Sequence, residues 1–214
     1  MQRNLQQTRH TQKRYNATSV IYDIMEWPIE QWWYKWWRSQ LWSKVDGHNV
    51  LEIGVGTGKN IPFYPEDMEI TGIDLSAGML KRAKRVLAKR NNDRVTLQEM
   101  DAQELDFMEN TFDEVVATFA FCSVPDPVLG FKEALRITKS GGHLYLLEHM
   151  VSKNESFASV MKKLDGPIHY LSGVHIARET VENVKKAGWE ILEVEELTHG
   201  GIFRMIEAKK PAGF

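Results

Sequence analysis

Residues 50–58, Val50-Leu51-Glu52-Ile53-Gly54-Val55-Gly56-Thr57-Gly58, constrain this chain more than any other segment. An apolar run ends in an acidic residue two positions before the first of three alternating glycines. Glycine reaches backbone conformations and close approaches that a Cβ forbids. The expected local structure is therefore a strand that opens into a tight, ligand-facing loop. The spacing excludes two common phosphate loops. A dinucleotide fingerprint needs glycine three positions after Gly56, where Lys59 stands, and a Walker lysine is missing from its required place.

The rest of the chain alternates around this loop. Residues 49–53, 69–73, 95–100, 112–121 and 143–148 read as five short strands. Between them, helices are expected near 59–64, over 78–90 behind a Ser76 cap, and over 127–138, ending at Ser140-Gly141-Gly142. Met79, Leu80, Ala83, Val86 and Leu87 form the inner face of the second helix. Residues 151–176 read as irregular. A helix over 178–187 stops at Gly188, and residues 189–197 and 202–208 form a closing strand pair around His199-Gly200-Gly201. Five strands alternating with helices imply an α/β fold, and the closing pair adds two strands, one of them antiparallel at the edge. The expected architecture is a Rossmann-like, doubly wound, mostly parallel seven-stranded sheet with an N-terminal helical lid. A chain of 214 residues suits one such domain with an appendage, here residues 1–44 before a main domain at 45–214.

That appendage is compositionally odd. Six of the seven tryptophans lie between Trp27 and Trp42, and only Trp189 is elsewhere. Residues 1–44 carry seven Lys or Arg against three Asp or Glu, whereas the remainder carries 20 against 26. Residues 17–44 read as helical with a break at Pro28, and Ile29, Trp33, Trp36, Trp37 and Leu41 share one face. Lys35, Arg38 and Lys44 beside these indoles suit an anionic lipid surface; the competing reading packs the helix on the sheet as a lid. The basic run from Lys81 to Arg94 reads first as a solvated helix face. Cys122, the single cysteine, excludes an internal disulfide and suits a packed core thiol. The first twenty residues have no apolar core and are not expected to act as a secretory signal. No stretch reaches the ~20 apolar residues of a membrane span. The expected location is the cytoplasm, with peripheral contact to an anionic membrane surface.

Two more carboxylates fall where a ligand at the strand ends would meet them. Asp74 follows the second strand, placed to accept ribose hydroxyls. Asp101, in Met100-Asp101-Ala102, follows the third, placed to meet an adenine amine. With Glu52 and the glycines, the Asp74-Leu75-Ser76-x-x-Met79-Leu80 run and Gly141-Gly142, residues 45–209 resemble the class I S-adenosylmethionine-dependent methyltransferases. That resemblance implies an enzyme using S-adenosyl-L-methionine and releasing S-adenosyl-L-homocysteine, without a metal. It implies a cofactor site of Glu52, Gly54, Gly56, Gly58, Asp74, Leu75, Asp101, Ala102 and Phe119.

The acceptor is a separate question, because fold does not fix function. The fourth strand leads into Phe121-Cys122-Ser123-Val124-Pro125-Asp126, which lacks the N/D-P-P-Y/F tetrapeptide of nucleobase and amide methylation. No nucleic-acid signature is present. Lys59-Asn60, Phe63-Tyr64-Pro65, Cys122-Ser123-Val124 and Glu148-His149 look like a subgroup holding bacterial phosphatidylethanolamine N-methyltransferases and animal lipid-associated thiol methyltransferases. Tyr22-Asp23-x-Met25 is similar to ubiquinone and menaquinone C-methyltransferases. These resemblances imply a lipid or amphiphile acceptor, with the ethanolamine nitrogen of a phospholipid first. A small hydrophobic thiol or quinone, and a non-catalytic module that binds cofactor and docks on membranes, stand as alternatives. The candidate catalytic residues are His149, Tyr22 and Tyr170, followed by His169 and His175, with Glu148 either orienting His149 or facing the helix layer.

Overall fold

A computed structural model describes residues 33–90 and 92–213. Its elements in chain order are α1 (Lys35–Trp42), β1 (Asn49–Ile53), β2 (Glu69–Asp74), α2 (Ala77–Leu87), β3 (Val95–Glu99), β4 (Phe112–Thr118), α3 (Pro127–Ile137), β5 (Thr138–His149), α4 (Glu155–Ser172), α5 (Thr180–Lys186), β6 (Glu190–Glu196) and β7 (Phe203–Lys209). The seven strands form one sheet in the order β3-β2-β1-β4-β5-β7-β6. β1 pairs in parallel with β2 and β4, β2 with β3, and β4 with β5, whereas β7 runs antiparallel between β5 and β6. Strand order reverses direction between β1 and β4, where doubly wound sheets open a crevice at the carboxyl ends of their strands.

Both faces of this sheet are covered, so its central strands place apolar residues on both sides. Alternate residues serve opposite layers. Val50, Val116, Tyr145 and Leu147 pack with Trp37, Leu41 and Trp42 of α1 and Leu80 and Ala83 of α2. Leu51, Val115, Leu144 and Leu146 pack with Phe131 and Ala134 of α3 and Val184 of α5. The second layer is tied by a Phe121–Phe131 stack at 3.7 Å and by Trp189, whose Nε1 donates to the Phe131 carbonyl at 2.9 Å. Ser76 caps α2 by accepting from the Met79 N–H at 3.2 Å, and Asp126 caps α3 from Leu129 at 3.0 Å. The described part of residues 1–44 shares the first core, and Lys44 pairs with Glu193 of β6 at 2.8 Å.

Several sequence expectations are corrected. The helix near 59–64 is a single 3₁₀ turn, Ile61–Phe63, with Pro62 inside it. The fourth strand ends at Thr118 rather than 121, because Phe119 turns the chain with a φ of +53°. Gly141 and Gly142 lie inside β5 rather than ending α3, since Gly142 passes against the Asp113 carbonyl so closely that a Cβ would sit 2.2 Å from it. The final helix begins at Thr180, not 178. Residues 151–176 are not irregular. They hold α4, capped by Asn154, which accepts from Phe157 at 3.1 Å, and closed by Gly173 at φ +80°. Pro167 sits inside it.

The phase of α1 also differs from the expected one. Tyr34, Trp37, Arg38, Leu41 and Trp42 are buried, whereas Trp33 and Trp36 are 61% and 55% exposed. Tryptophans on both sides of the helix made the apolar line ambiguous, and the face carrying Leu41 won the core. Arg38 is only 5% exposed, so it is not presented to a lipid surface as expected, whereas Lys44 is paired with Glu193 in a partly exposed ion pair. Trp27, Ile29, Trp32 and Tyr22 lie outside the described residues.

Candidate functional site

One cavity opens at the carboxyl ends of β1, β2 and β4, and eight of the nine expected cofactor residues line it: Glu52, Gly54, Gly56, Asp74, Leu75, Asp101, Ala102 and Phe119. The glycine loop is built by backbone geometry. Gly54, Gly56 and Gly58 all have positive φ, at +75°, +56° and +86°. The N–H groups of Gly54 and Val55 both donate to the Ile73 carbonyl, at 2.8 and 3.0 Å, which locks the loop to β2. Gly58 stands apart from the cavity lining. A Cβ there would meet the Ala83 Cα at 3.0 Å, so this glycine lets α2 approach.

Gly54 has a harder constraint. A Cβ on it would lie 2.4 Å from the Ala120 Cβ. Gly54→Ala therefore adds a left-handed alanine to a clash with a buried turn. We expect a loss of about 2–4 kcal/mol, combining backbone strain and overpacking. Urea unfolding checks this; a loss under about 0.5 kcal/mol, the level of a neutral surface substitution, would count against the tight contact.

Asp74 joins two pieces of the cavity. Its Oδ2 accepts from the Gly56 N–H at 2.9 Å and its Oδ1 from the Ser76 N–H at 2.8 Å. Burial raises its pKa, and the two N–H groups partly offset that. Asp101 is set by Gln103, whose backbone and side chain both donate to it, at 2.9 and 3.1 Å on Oδ1. The Gln103 Oε1 in turn accepts from the Asp126 N–H at 2.9 Å, so β3 and the start of α3 are held together behind the cavity.

Glu52 is buried beneath the loop within a polar network. Tyr64 donates to its Oε2, and Asn60 donates to its Oε1 at 2.7 Å and to Thr118 Oγ1 at 2.9 Å. Arg38 of α1 completes the network by donating to the Asn60 Oδ1 at 2.8 Å. Burial pushes the Glu52 carboxyl up to about 7 against the pull of Tyr64 and Asn60. This glutamate is thus a brace for the loop. Arg38 also lies over the Phe119 ring, 5.3 Å from its centre, and lines the cavity. Sequence reasoning missed that role, because its partner is 22 residues away.

The turn after β4 forms the facing wall. Phe119 packs on Tyr34 at 4.8 Å and edge-on to Phe203 at 5.9 Å. Its left-handed conformation is costly for an aromatic residue and persists only where neighbours fix it. Glu148 does so. Its Oε1 accepts from both the Ala120 and Phe121 N–H groups, at 2.9 and 3.0 Å. Glu148 and His149 therefore point to opposite faces of β5, and Glu148 faces the helix layer.

His149 sits at the end of β5, edge-on to Phe203 at 5.6 Å, and is not among the residues that line this cavity. Burial lowers its pKa, and Asp165 of α4 partly offsets this. A second cluster lies nearby. His175 Nδ1 meets the Asp165 Oδ2 at 2.7 Å, and the His169 and His175 rings stack at 3.8 Å. Asp165 also accepts from the N–H groups of Ile176 and Ala177, and these contacts hold its pKa down. The His175 N–H donates to the Cys122 carbonyl at 3.0 Å, tying this cluster to the turn beside the cavity. Tyr170, by contrast, is 74% exposed on α4. Cys122 is buried, with its thiol donating to the Phe119 carbonyl at 3.5 Å.

Residues 51–146 match the model of a family described as a methyltransferase domain. Over 168 residues the chain is 34% identical to a phosphatidylethanolamine N-methyltransferase of Cereibacter sphaeroides, covering 77% of this chain and 81% of that protein. It is 28% identical to a thiol S-methyltransferase of Rattus norvegicus, covering 68% of this chain and 62% of that protein. Among solved structures, phospholethanolamine N-methyltransferase 2 of Haemonchus contortus, in complex with phosphomonomethylethanolamine and S-adenosylhomocysteine, superposes with a TM-score of 0.63 at 22% identity. That match covers 77% of this chain and 49% of the other.

Proposed function

Because the chain belongs to the class I S-adenosylmethionine-dependent methyltransferases, we propose that its acceptor is the ethanolamine nitrogen of a phospholipid. The observation that carries this reading is the relative from Cereibacter sphaeroides, whose similarity extends well beyond the cofactor loop. Apolar exposure gives physical support. Phe157, Val160 and Leu164 stand exposed along α4, as do Trp36 on α1 and Trp33 just before it. Indoles favour the boundary between headgroups and water. Among the described residues, no helix is long and apolar enough to cross a membrane.

The cavity suits the cofactor in shape and chemistry. Gly54 and Gly56 keep its floor free of side chains, Asp74 and Asp101 offer carboxylate oxygens to the adenosine part, and Leu75 and Met100 give it apolar walls. Bound there, S-adenosylmethionine supplies a methyl group on a cationic sulfur that leaves as a neutral thioether. The chain has to align the acceptor nitrogen with that methyl group, which is worth up to ~7–11 kcal/mol. It also has to receive a proton, since an ammonium has no lone pair to donate. We assign this task to His149, which stands at the end of β5 outside the lining of the cofactor cavity and whose imidazole burial keeps neutral below the usual pH. Asp165 is placed to steady the charge His149 would gain.

We expect kcat to fall on the acid side of a pKa below 6.5. His149→Asn is expected to lower kcat about 10²- to 10⁴-fold and to remove that acid limb. A pH–rate profile identical in shape for both proteins would overturn the assignment. The acceptor itself is tested by transfer of labelled methyl groups to phosphatidylethanolamine liposomes against a panel of hydrophobic thiols. Product on the lipid supports this reading. Product only on thiols favours the second reading, a small thiol acceptor, to which the rat relative points.

A further inference from the structure

We propose that the groove between the start of α4 and the β6–β7 connection holds an acyl chain of the acceptor lipid, an inference that rests on the phospholipid acceptor proposed above. α4 contributes Phe157 and Val160 to this groove, and the connection contributes Ile202 and His199. Ser152 and Ser156 add two hydroxyls to the lining.

A lipid whose amine reaches a site at the carboxyl edge of the sheet is drawn partly out of its bilayer. Every acyl methylene left in water is then a cost, which an apolar surface within reach offsets. Phe157 and Val160 are 49% and 48% exposed. They stand three residues apart, on one side of the helix, and are neighbours there. Apolar side chains from two elements, facing one groove and still half in water, suit a hydrocarbon ligand.

The groove starts close to His149. That residue closes β5, and Ser152 follows three residues later, a reach of at most about 10 Å. On the facing segment Ile202 precedes Phe203, whose ring meets His149, and the Met150 N–H donates to the Ile202 carbonyl at 2.8 Å. Phosphate and glycerol separate the amine of a phospholipid from its chains. An amine that gives its proton to His149 therefore places the chains beyond this short segment. The floor of the groove is fixed by hydrogen bonds. Ser152 Oγ and the Lys153 N–H both donate to the Gly200 carbonyl, at 2.8 and 3.0 Å. Arg204 donates to the carbonyls of Gly201 and Val151, at 2.6 and 3.0 Å. A groove already built loses little freedom on binding.

Calorimetry with two ligands tests the groove apart from any bilayer. Dihexanoylphosphatidylcholine, kept monomeric, carries chains on a quaternary nitrogen that accepts no methyl group. Glycerophosphocholine has the same headgroup without chains. The parent should bind the first more tightly. Phe157→Ala combined with Val160→Ala keeps good helix formers and should weaken the first about 5- to 30-fold and the second by less than about 2-fold. Val160→Trp fills the groove instead of stripping it and should weaken the first by a similar factor. Leu164→Ala alters an exposed apolar residue of α4 outside the groove lining and should leave both ligands within about 2-fold. Equal weakening of both ligands would overturn the proposal, as would an undiminished affinity in the double variant. So would an equal loss in Leu164→Ala, which would mark a bilayer-facing side of the helix, or a parent that does not bind the diacyl lipid. Labelled methyl transfer to phosphatidylethanolamine separates the two readings. Lipid binding that depends on Phe157 and Val160, without transfer, would remove the ethanolamine acceptor and leave the acyl site standing. Transfer with binding indifferent to both residues would do the reverse.

Discussion

Asp74→Ala should lower the affinity for S-adenosylhomocysteine by about 10²- to 10⁴-fold. The carboxylate is asked to do two things at once. It holds the Gly56 and Ser76 N–H groups, which fixes the loop against the start of α2. In the proposed complex its remaining lone pairs accept from the ribose diol. Hydrogen bonds to a charged group are worth about 1.5–3 kcal/mol each, and two lost to the diol give that range before any loosening of the loop. Asp74→Asn should do less damage. Its amide oxygen can replace one acceptor, but its NH₂ would confront a backbone N–H. Calorimetry would settle the matter, and an Asp74→Ala affinity within about 3-fold of the parent would remove Asp74 from the site.

The second large effect concerns Glu148. It is 0% exposed, and its Oε1 is the acceptor for two consecutive buried N–H groups. Glu148→Ala leaves both without a partner, at about 1–3 kcal/mol each, and frees Phe119 from the turn that holds its strained backbone. We expect unfolding free energy to drop by about 3–5 kcal/mol in urea titrations. The conservative variant carries the more specific signature. Burial pushes the Glu148 carboxyl from 4.5 up to about 7. A folded-state pKa above the unfolded one means that the fold binds the proton more tightly. The contribution of this residue is thus full below pH 4.5 and declines as pH rises toward 7. Glu148→Gln keeps an acceptor oxygen and cannot ionise. Relative to the parent it should gain about 3 kcal/mol between the low and the high end of that window. A difference that stays constant with pH would show that Glu148 does not take up a proton on folding.

Much of this could be read from the sequence, and the failures share a cause. β1, the glycine loop, Asp74 and the Ser76 cap depend on neighbours a few residues apart, so local spacing reveals them. α4 was equally local, with Asn154 at one end, Gly173 at the other and apolar residues at helical steps between. Gly166-Pro167 obscured it. Proline removes one helix hydrogen bond, but the flanking turns here keep their own. Arg38 was a different kind of miss, and Glu148 was left between two readings. Arg38 reads as a surface cation unless Asn60 is known to be beside it, and Glu148 reads either as a partner for His149 or as facing the helix layer, which strand alternation decides for the second. Its true partners are the N–H groups of Ala120 and Phe121, 28 and 27 residues earlier. Buried polar groups are explained by tertiary partners, which composition and period do not carry.

The strand order also bears on how the chain must be assembled as it is made. Among the described residues β6 pairs with β7 alone, yet β6 is synthesised first. Until residues 203–209 emerge, β6 has no place in the sheet and the far edge of β5 offers its N–H and C=O groups unpaired. Such an open, apolar edge is a template for other chains. The antiparallel insertion of β7 thus makes the last strand of the sheet the one that closes it. Interruption of synthesis before Phe203 would leave a nearly complete cofactor cavity on a molecule prone to aggregate.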